Sequence, residues 1–141
     1  TAKSTDTAIR DLSGFLEEHY AADACHLLLF MVTKPSNNLE RIEIRDRHDR
    51  LRLLLAELFN RERPLLDSLQ SEYLNLIFGK QGASIHSTVL LPLTGRDWEG
   101  LFVIGSKQRD RYHRGSQLEL LIFLARITAL RLDNWLNTDG S

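Results

Sequence analysis

The chain has 141 residues, 43% of them hydrophobic and 26% charged, with a formal net charge of −1. This length fits one domain with its own core, and the balanced charge lacks the positive field by which proteins bind nucleic acid or anionic membranes. The lone cysteine, Cys25, suits a reducing cytoplasm, and no apolar run reaches the roughly 20 residues of a membrane helix. We therefore expect a single cytoplasmic domain over residues 1–141 that binds neither nucleic acid nor membrane.

The N-terminal segment has the period of an amphipathic helix. Apolar residues recur at steps of three and four from about Asp6 to Tyr20, and Thr5 or Asp6 can cap the start of the helix. Gly14 weakens the helix by about 1 kcal/mol relative to alanine. The apolar face of the predicted helix consists of Ile9, Leu12, Phe15, Leu16 and Tyr20.

Two strands are expected after this helix. His26 to Val32 is a short, continuous apolar run, which is typical of a strand buried on both faces. Leu39 to Ile44 alternates apolar and charged residues, which is typical of a half-buried strand nearer the edge of a sheet. Turn-forming residues lie between them, from Lys34 to Asn38. The pattern therefore predicts an antiparallel hairpin.

The middle of the chain predicts two helices. The first runs from Asp49 to Phe59, and Pro64 ends it because proline disfavours helical backbone at the preceding residue. Ser71 can cap a second, short helix, and Gly79 and Gly82 supply the backbone freedom needed to leave it. The apolar positions are Leu51, Leu54, Leu55 and Leu58 in the first helix, and Tyr73, Leu74, Ile77 and Phe78 in the second.

The second half of the chain predicts another hairpin. Ser84 to Leu93 and Gly100 to Gly105 are rich in apolar residues, and the turn-forming residues Thr94 to Asp97 separate them. The order of elements is helix, two strands, two helices, two strands and a final helix. This order predicts an α+β fold in which helices pack against one antiparallel sheet.

The final helix, predicted from Ser116 to Asn137, has apolar residues on two sides. A surface helix normally has one apolar stripe about 100° wide, so this helix is either sunk deep in the domain or packed on the sheet with one side and on a partner with the other. The partner could be the first helix of the same chain together with the equivalent helix of a second copy, since a two-fold dimer is the commonest closed arrangement. The residues predicted at the dimer interface are Ile9, Leu12, Leu120, Phe123, Ile127 and Leu130.

The sequence lacks the motifs of a catalytic, metal or cofactor site. None of its five histidines lies in a His-x-x-x-His pair, and Cys25 has no second cysteine to complete a zinc-binding pattern. The Gly79–Gly82 segment lacks the spacing of a phosphate-binding loop. The charge cluster Arg45–Arg50 fits a solvated turn or a contact with an anion or a partner. We therefore expect no enzymatic activity, no metal and no cofactor in this domain.

One strand carries a polar row that suggests a ligand site. Ser84, His86 and Thr88 share one face of the predicted strand. Such a row can line a ligand cavity or face water near the edge of a sheet. The candidate ligand-binding residues, for a small molecule of unknown identity, are Tyr73, Ser84, His86 and Thr88.

Several segments of the second half resemble the bacterial GAF-related family known as domain of unknown function 484. The match in element order covers the whole chain, and it is specific from about Tyr73 onward. The most telling part is Gly100–Ser106 followed by Asp110–Tyr112. The segments that carry the resemblance are Tyr73–Gly79, Ser87–Leu93, Gly100–Ser106, Asp110–Tyr112 and Leu121–Ile127.

The resemblance implies a GAF-like antiparallel sheet with the N- and C-terminal helices on one face and short helices on the other. Domains similar to GAF and PAS modules commonly precede an output domain, such as a diguanylate cyclase, and dimerise through their terminal helices. The resemblance implies no bilin or haem, because no cysteine or histidine here matches a chromophore or axial position. Because such domains commonly precede an output domain, we expect this chain to be a fragment of a longer bacterial signalling protein.

Two functional hypotheses follow. The first is a sensory regulatory domain that controls the attached output domain. The second is a dimerisation or protein-docking domain without a ligand. A cavity lined by Tyr73, His86 and Thr88 would favour sensing, whereas the same space packed by Phe59, Phe78 and leucine side chains would favour docking.

Overall fold

The computed structural model describes residues 2–20, 22–32, 42–61, 64–67, 69–109, 112 and 118–138. It has an α+β fold, as the sequence predicts, with a five-stranded sheet in the order β2-β1-β5-β4-β3. The strands are β1 (Ala24–Met31), β2 (Ile42–Asp46), β3 (Leu65–Asp67), β4 (Ser87–Thr94) and β5 (Glu99–Ser106). The helices are α1 (Ala2–His19), α2 (Arg50–Leu54), α3 (Ala56–Arg61), α4 (Ser71–Phe78), a 3₁₀ helix (Gly79–Ser84) and α5 (Leu118–Thr138).

Three long antiparallel strands form the centre of the sheet. Leu28 of β1 pairs with Leu101 of β5, and Leu90 of β4 pairs with Val103 of β5. These four residues lie on one face of the sheet, and Leu29, Val89 and Ile104 lie on the other. All seven are 0% exposed because helices cover both faces. Both faces of each central strand are therefore apolar, which explains the continuous apolar runs in the sequence.

The two faces of the sheet carry two separate cores. On one face, α1 and α5 cover side chains that include Leu29, Val89 and Phe102. On the other face, the short helices cover side chains that include Leu28, Phe30 and Leu90. The expected placement of terminal helices on one face and short helices on the other is confirmed.

The predicted antiparallel hairpin of the first two strands is wrong. β1 and β2 pair in parallel, with Leu27 opposite Ile42 and Leu29 opposite Ile44, so the sheet is mixed. An alternating pattern determines which face each side chain occupies, but it does not determine the direction of the strand. Residues 32–41 separate the two strands, a length that suffices to run back along a five-residue strand. The predicted turn at residues 34–38 lies outside the described residues.

The sequence pattern does not predict β3, because this strand has only three residues. It pairs with the first part of β4 through Leu65 opposite Leu90 and Leu66 opposite Val89. The rest of β4, from Leu91 to Thr94, pairs only with β5 in the described part of the chain. Pro92 lies in that part, where a missing backbone N–H is tolerated at a sheet edge.

Several helix boundaries differ from the prediction. α1 begins at Ala2, so Thr5 lies inside the helix and is 3% exposed instead of capping it. Thr5 precedes Ile9 by four residues and therefore continues the buried face. The single helix expected from Asp49 to Phe59 is two short helices, interrupted at Leu55. The Asp49 carboxylate caps the first of them, accepting a hydrogen bond of 2.9 Å from the Leu51 N–H.

Two further boundaries concern α4 and β4. Gln70, and not Ser71, occupies the N-cap position of α4. Gly79 ends α4 with a φ of 61°, which glycine adopts readily. The 3₁₀ helix that follows contains Ser84, so β4 begins at Ser87 instead of Ser84. The predicted cap of α5, Ser116, lies outside the described residues.

Candidate functional site

The outer side of α5 carries an exposed apolar stripe. The inner side packs on the sheet, where Leu121 is 0% exposed. On the outer side Phe123 is 58%, Ile127 45% and Leu130 67% exposed, and Leu120 is half-buried beside them. We call Leu120, Phe123, Ile127 and Leu130 the α5 stripe. Steps of three, four and three residues place all four on one side of the helix, so α5 is not sunk in the domain.

The two α1 residues predicted for the same interface do not lie on the α5 stripe. Ile9 is 4% exposed and belongs to the core beneath the terminal helices. Leu12 is half-buried and faces α5. In this structure Ile9 therefore packs within the domain, whereas part of Leu12 remains accessible between the two helices.

A small groove separates α1 from α5, and we call it the α1–α5 groove. It has a volume of about 130 Å³. Ile127 belongs both to this groove and to the α5 stripe, so the two surfaces are continuous. The hydroxyl of Thr128 donates a hydrogen bond of 2.7 Å to the Leu124 carbonyl oxygen. The groove is lined by Thr5, Ala8, Ile9, Leu12, Leu124, Ile127, Thr128, Arg131 and Leu132.

A second groove, of about 380 Å³, lies on the other side of α5 against β4. Small side chains on the helix, Ala125 and Ala129, leave this space, and Pro64 and Pro92 line it from the sheet side. It coincides with the part of β4 beyond its pairing with β3. The α5 stripe therefore forms a ridge with a groove on each side.

Asp133 attaches α5 to the turn between β4 and β5. Its Oδ1 accepts hydrogen bonds from the backbone N–H of Arg96 and from Nε1 of Trp98, both at 3.0 Å. The Arg96 guanidinium lies 3.5 Å from Oδ2. The pKa of Asp133 lies below its ordinary value, mainly because of the hydrogen bond from the Arg96 backbone. The turn thus fixes α5 on the sheet.

The four predicted ligand-binding residues are spread over α4, the 3₁₀ helix, β4 and the link between the last two. Tyr73 is half-buried on α4, and Thr88 is buried on β4, on the side of the short helices. His86 is half-buried between the 3₁₀ helix and β4, and its backbone N–H bonds to Ser106. The Ser84 hydroxyl donates a hydrogen bond of 2.9 Å to the Gln81 carbonyl. None of these residues lines the two grooves beside α5.

The space beneath the short helices is filled with apolar side chains. Phe30 and Phe59 meet edge to face with ring centroids 5.9 Å apart, and the Arg52 guanidinium lies 5.2 Å from the centre of the Phe59 ring. Arg52 also donates a hydrogen bond of 2.7 Å to Glu99 on β5. The other members of this core include Leu28, Leu51, Leu55, Leu58, Ile77, Phe78, Ile85, Leu90, Leu101 and Val103.

A cleft of about 660 Å³ lies where β1 and β2 meet α4, and Ile9 and Ser13 of α1 also line it. Of its residues the sequence pattern singles out only Arg45 for contact with an anion, as part of the charge cluster Arg45–Arg50. His26, Glu43 and Arg45 line it. The Arg45 guanidinium donates hydrogen bonds of 2.7 Å to the Leu76 carbonyl and 3.0 Å to Glu43, and it lies 3.6 Å from Asp49. The positive charge is thus already paired. The charge cluster Arg45–Arg50 and the alternating residues of β2 are the sequence signals that fall on this cleft.

Two groups beside this cleft have shifted pKa values. Burial lowers the pKa of His26, whose ring lies 5.1 Å from the ring of Phe78, so the imidazole is neutral at pH 7. Burial, with a smaller contribution from the Glu17 charge, raises the pKa of the Cys25 thiol to about 12. Cys25 is therefore a poor nucleophile at neutral pH.

Metal-ligating side chains are scattered in the described part of the chain. Among residues 2–20, 22–32, 42–61, 64–67, 69–109, 112 and 118–138, no three histidine, cysteine or acidic side chains are grouped so as to hold a metal ion. Within the same ranges, no helix is both long and apolar enough to cross a bilayer.

The fold and its surfaces define an α+β domain whose paired terminal helices cover one face of a mixed sheet and expose an apolar ridge. The chain belongs to the family described as protein of unknown function, DUF484, whose sequence model matches residues 1–137. The resemblance to domain of unknown function 484 is therefore confirmed. A comparison with curated proteins finds no matching relative.

Proposed function

We propose that this domain is a non-catalytic regulatory module that forms a homodimer through the α5 stripe and controls an output domain attached to it. The exposed stripe is the observation that carries the proposal. Single apolar side chains are common on protein surfaces, but several in one contiguous patch are typical of an interaction site. Phe123, Ile127 and Leu130 are such a patch on one helix.

A second copy of the chain is the occupant that the energetics favour. Burial of one leucine, isoleucine or phenylalanine side chain contributes roughly 1.5–3 kcal/mol, while association costs about 4–15 kcal/mol in lost rigid-body freedom. A two-fold dimer uses the same patch twice, so both copies of Phe123, Ile127 and Leu130 contribute together. Each of these side chains is already about half covered in the monomer, so together they contribute on the order of 5–10 kcal/mol. This offsets the lower part of the cost and predicts a weak dimer that dissociates on dilution.

The packed core beneath the short helices supports regulation without a ligand in that space. Phe59, Phe78 and several leucines occupy the space that a sensory domain would need for a ligand. In this proposal the signal is a change in how the two copies pack. Because Asp133 attaches α5 to the turn between β4 and β5, a shift of α5 would be coupled to the central strands.

The replacement Leu130→Arg tests the dimer. Leu130 is 67% exposed, so arginine there leaves the monomer folded but places a charge within the proposed interface. We expect the dissociation constant to rise roughly 10²–10⁴-fold, because two apolar contacts are lost and two charges are desolvated. Light scattering coupled to size-exclusion chromatography measures the mass, and circular dichroism confirms the fold.

Leu53→Arg is the matched control. Leu53 is 57% exposed on α2, on the opposite face of the sheet from α5. We expect this variant to remain dimeric at the concentration where Leu130→Arg is monomeric. Equal masses for the two variants, whether both dimeric or both monomeric, would contradict an interface at the α5 stripe.

Small-molecule sensing is a second candidate, favoured by the 660 Å³ cleft between β1, β2 and α4. Its volume falls within the range of ligand pockets. Because Arg45 is paired and His26 is neutral at pH 7, the cleft suits a polar, uncharged molecule. Native mass spectrometry of the purified protein and of His26→Phe tests this candidate. A bound small molecule on the wild type alone would support sensing, and bare chains in both samples would remove it.

A further inference from the structure

The α1–α5 groove has the size and chemistry of a hole for one large apolar side chain. Its volume is about 130 Å³, and Ala8 on α1 leaves room opposite Leu124 and Ile127 on α5. The Thr128 hydroxyl is already bonded to the backbone of α5, and Arg131 has an interaction of its own. The groove thus offers little to a polar ligand and suits an apolar side chain.

The ridge and the hole lie on the same surface of one chain. Ile127 belongs to both, and Phe123 and Leu130 project from the same side of the helix as exposed knobs. In a two-fold interface every contact is made twice, once in each direction. A surface that carries both the α5 stripe and the α1–α5 groove is therefore complementary to a second copy of itself.

We infer that the α5 stripe of one copy packs into the α1–α5 groove of the second copy, and reciprocally, so that α1 is covered in the dimer together with α5. This inference rests on the proposed homodimer. It adds α1 and the α1–α5 groove to the interface. A contact between the two α5 helices alone would leave both exposed to solvent.

Cysteine protection at Ala8 tests the inference on the full chain. Ala8→Cys places a thiol in the groove, and Thr7→Cys places one on the exposed side of the same helix. The native Cys25 is partly accessible, so peptide mapping separates its modification from that of the introduced thiol. Each variant is treated with a maleimide, both alone and combined with Leu130→Arg, and the rate of modification is followed by mass spectrometry.

We expect the thiol introduced by Ala8→Cys to react at least about tenfold more slowly in the dimer than in the Leu130→Arg background, because the dimer must first dissociate. The thiol introduced by Thr7→Cys should react at the same rate in both backgrounds. Equal rates for the Ala8→Cys thiol in a protein of twice the chain mass would overturn the groove contact while leaving the dimer intact. A wild type with the mass of one chain would overturn the dimer itself.

A space-filling variant gives a second reading. Ala8→Trp fills the groove. We expect it to weaken the dimer about tenfold or more, because both copies of the groove are then overpacked when the partner's side chain enters. Thr7→Trp should leave the dissociation constant unchanged. A dimer that is equally tight in both variants, with circular dichroism showing both folded, would contradict the inference. If Ala8→Trp does not fold, the cysteine rates decide.

Discussion

Asp133 is the residue on which the position of α5 most directly depends. Its carboxylate receives two hydrogen bonds from the turn between β4 and β5, from Arg96 and Trp98. Gly95 is required at this turn because a side chain there would overlap the Trp98 indole. The sequence pattern does not indicate these contacts, because the partners of Asp133 lie more than thirty residues away along the chain.

We expect Asp133→Asn to lower the free energy of unfolding by about 1–2 kcal/mol at pH 7. Hydrogen bonds to a charged group contribute roughly 1.5–3 kcal/mol, and asparagine keeps one acceptor oxygen. The pKa of Asp133 is lowered in the folded protein from its ordinary value of 3.8. The carboxylate therefore stabilises the fold above that value, and the contribution disappears as the pH falls through the lowered pKa.

Urea unfolding of both proteins between pH 7 and pH 3 measures this dependence. The difference between wild type and Asp133→Asn should shrink below about pH 4. Asp97→Asn, in the same exposed turn, is the control, and we expect it to change the free energy of unfolding at pH 7 little. A difference that stays constant down to pH 3 would show that the charge of Asp133 is not what attaches the helix.

At the scale of elements, α4 lies close to the sheet because β5 has a glycine beneath it. A Cβ added at Gly105 would lie 3.0 Å from the Phe78 ring and 3.0 Å from the Ile85 side chain. We expect Gly105→Ala to destabilise the protein by about 1 kcal/mol, because these neighbours must move. Thermal or urea unfolding measures the change.

Gly14 provides the opposite case. It lies within α1, is exposed, and has nothing within 4 Å of an added Cβ. Gly14→Ala should therefore stabilise the protein by about 0.5–1 kcal/mol, the difference in helix propensity. If Gly14→Ala destabilised the protein as much as Gly105→Ala, the described packing around these two residues would be wrong.

Most elements could be predicted from local patterns, and the errors share a physical cause. The long strands β1, β4 and β5 and the terminal helices follow from apolar runs and helical period. The parallel direction of β2 and the pairing of the short β3 depend on contacts with distant strands, which a local pattern does not contain. The break at Leu55 between α2 and α3 likewise gives no signal, because leucines surround it.

At the scale of the whole molecule, the two faces of the sheet have different roles. The face beneath the short helices is packed with side chains such as Phe59 and Phe78. The face beneath the terminal helices carries the exposed α5 stripe, whose residues Phe123, Ile127 and Leu130 could be predicted because α5 has more apolar surface than one sheet can cover. The grooves beside the α5 stripe could not be predicted, because they depend on how α1 and β4 lie against α5.

Sedimentation velocity of the wild-type chain over a dilution series, from high to low micromolar concentration at neutral pH, tests the homodimer without any substitution. We expect a main species of twice the 16.2 kDa chain mass that dissociates on dilution, and no such species for Leu130→Arg. A single species of one chain mass at the highest concentration would contradict the homodimer.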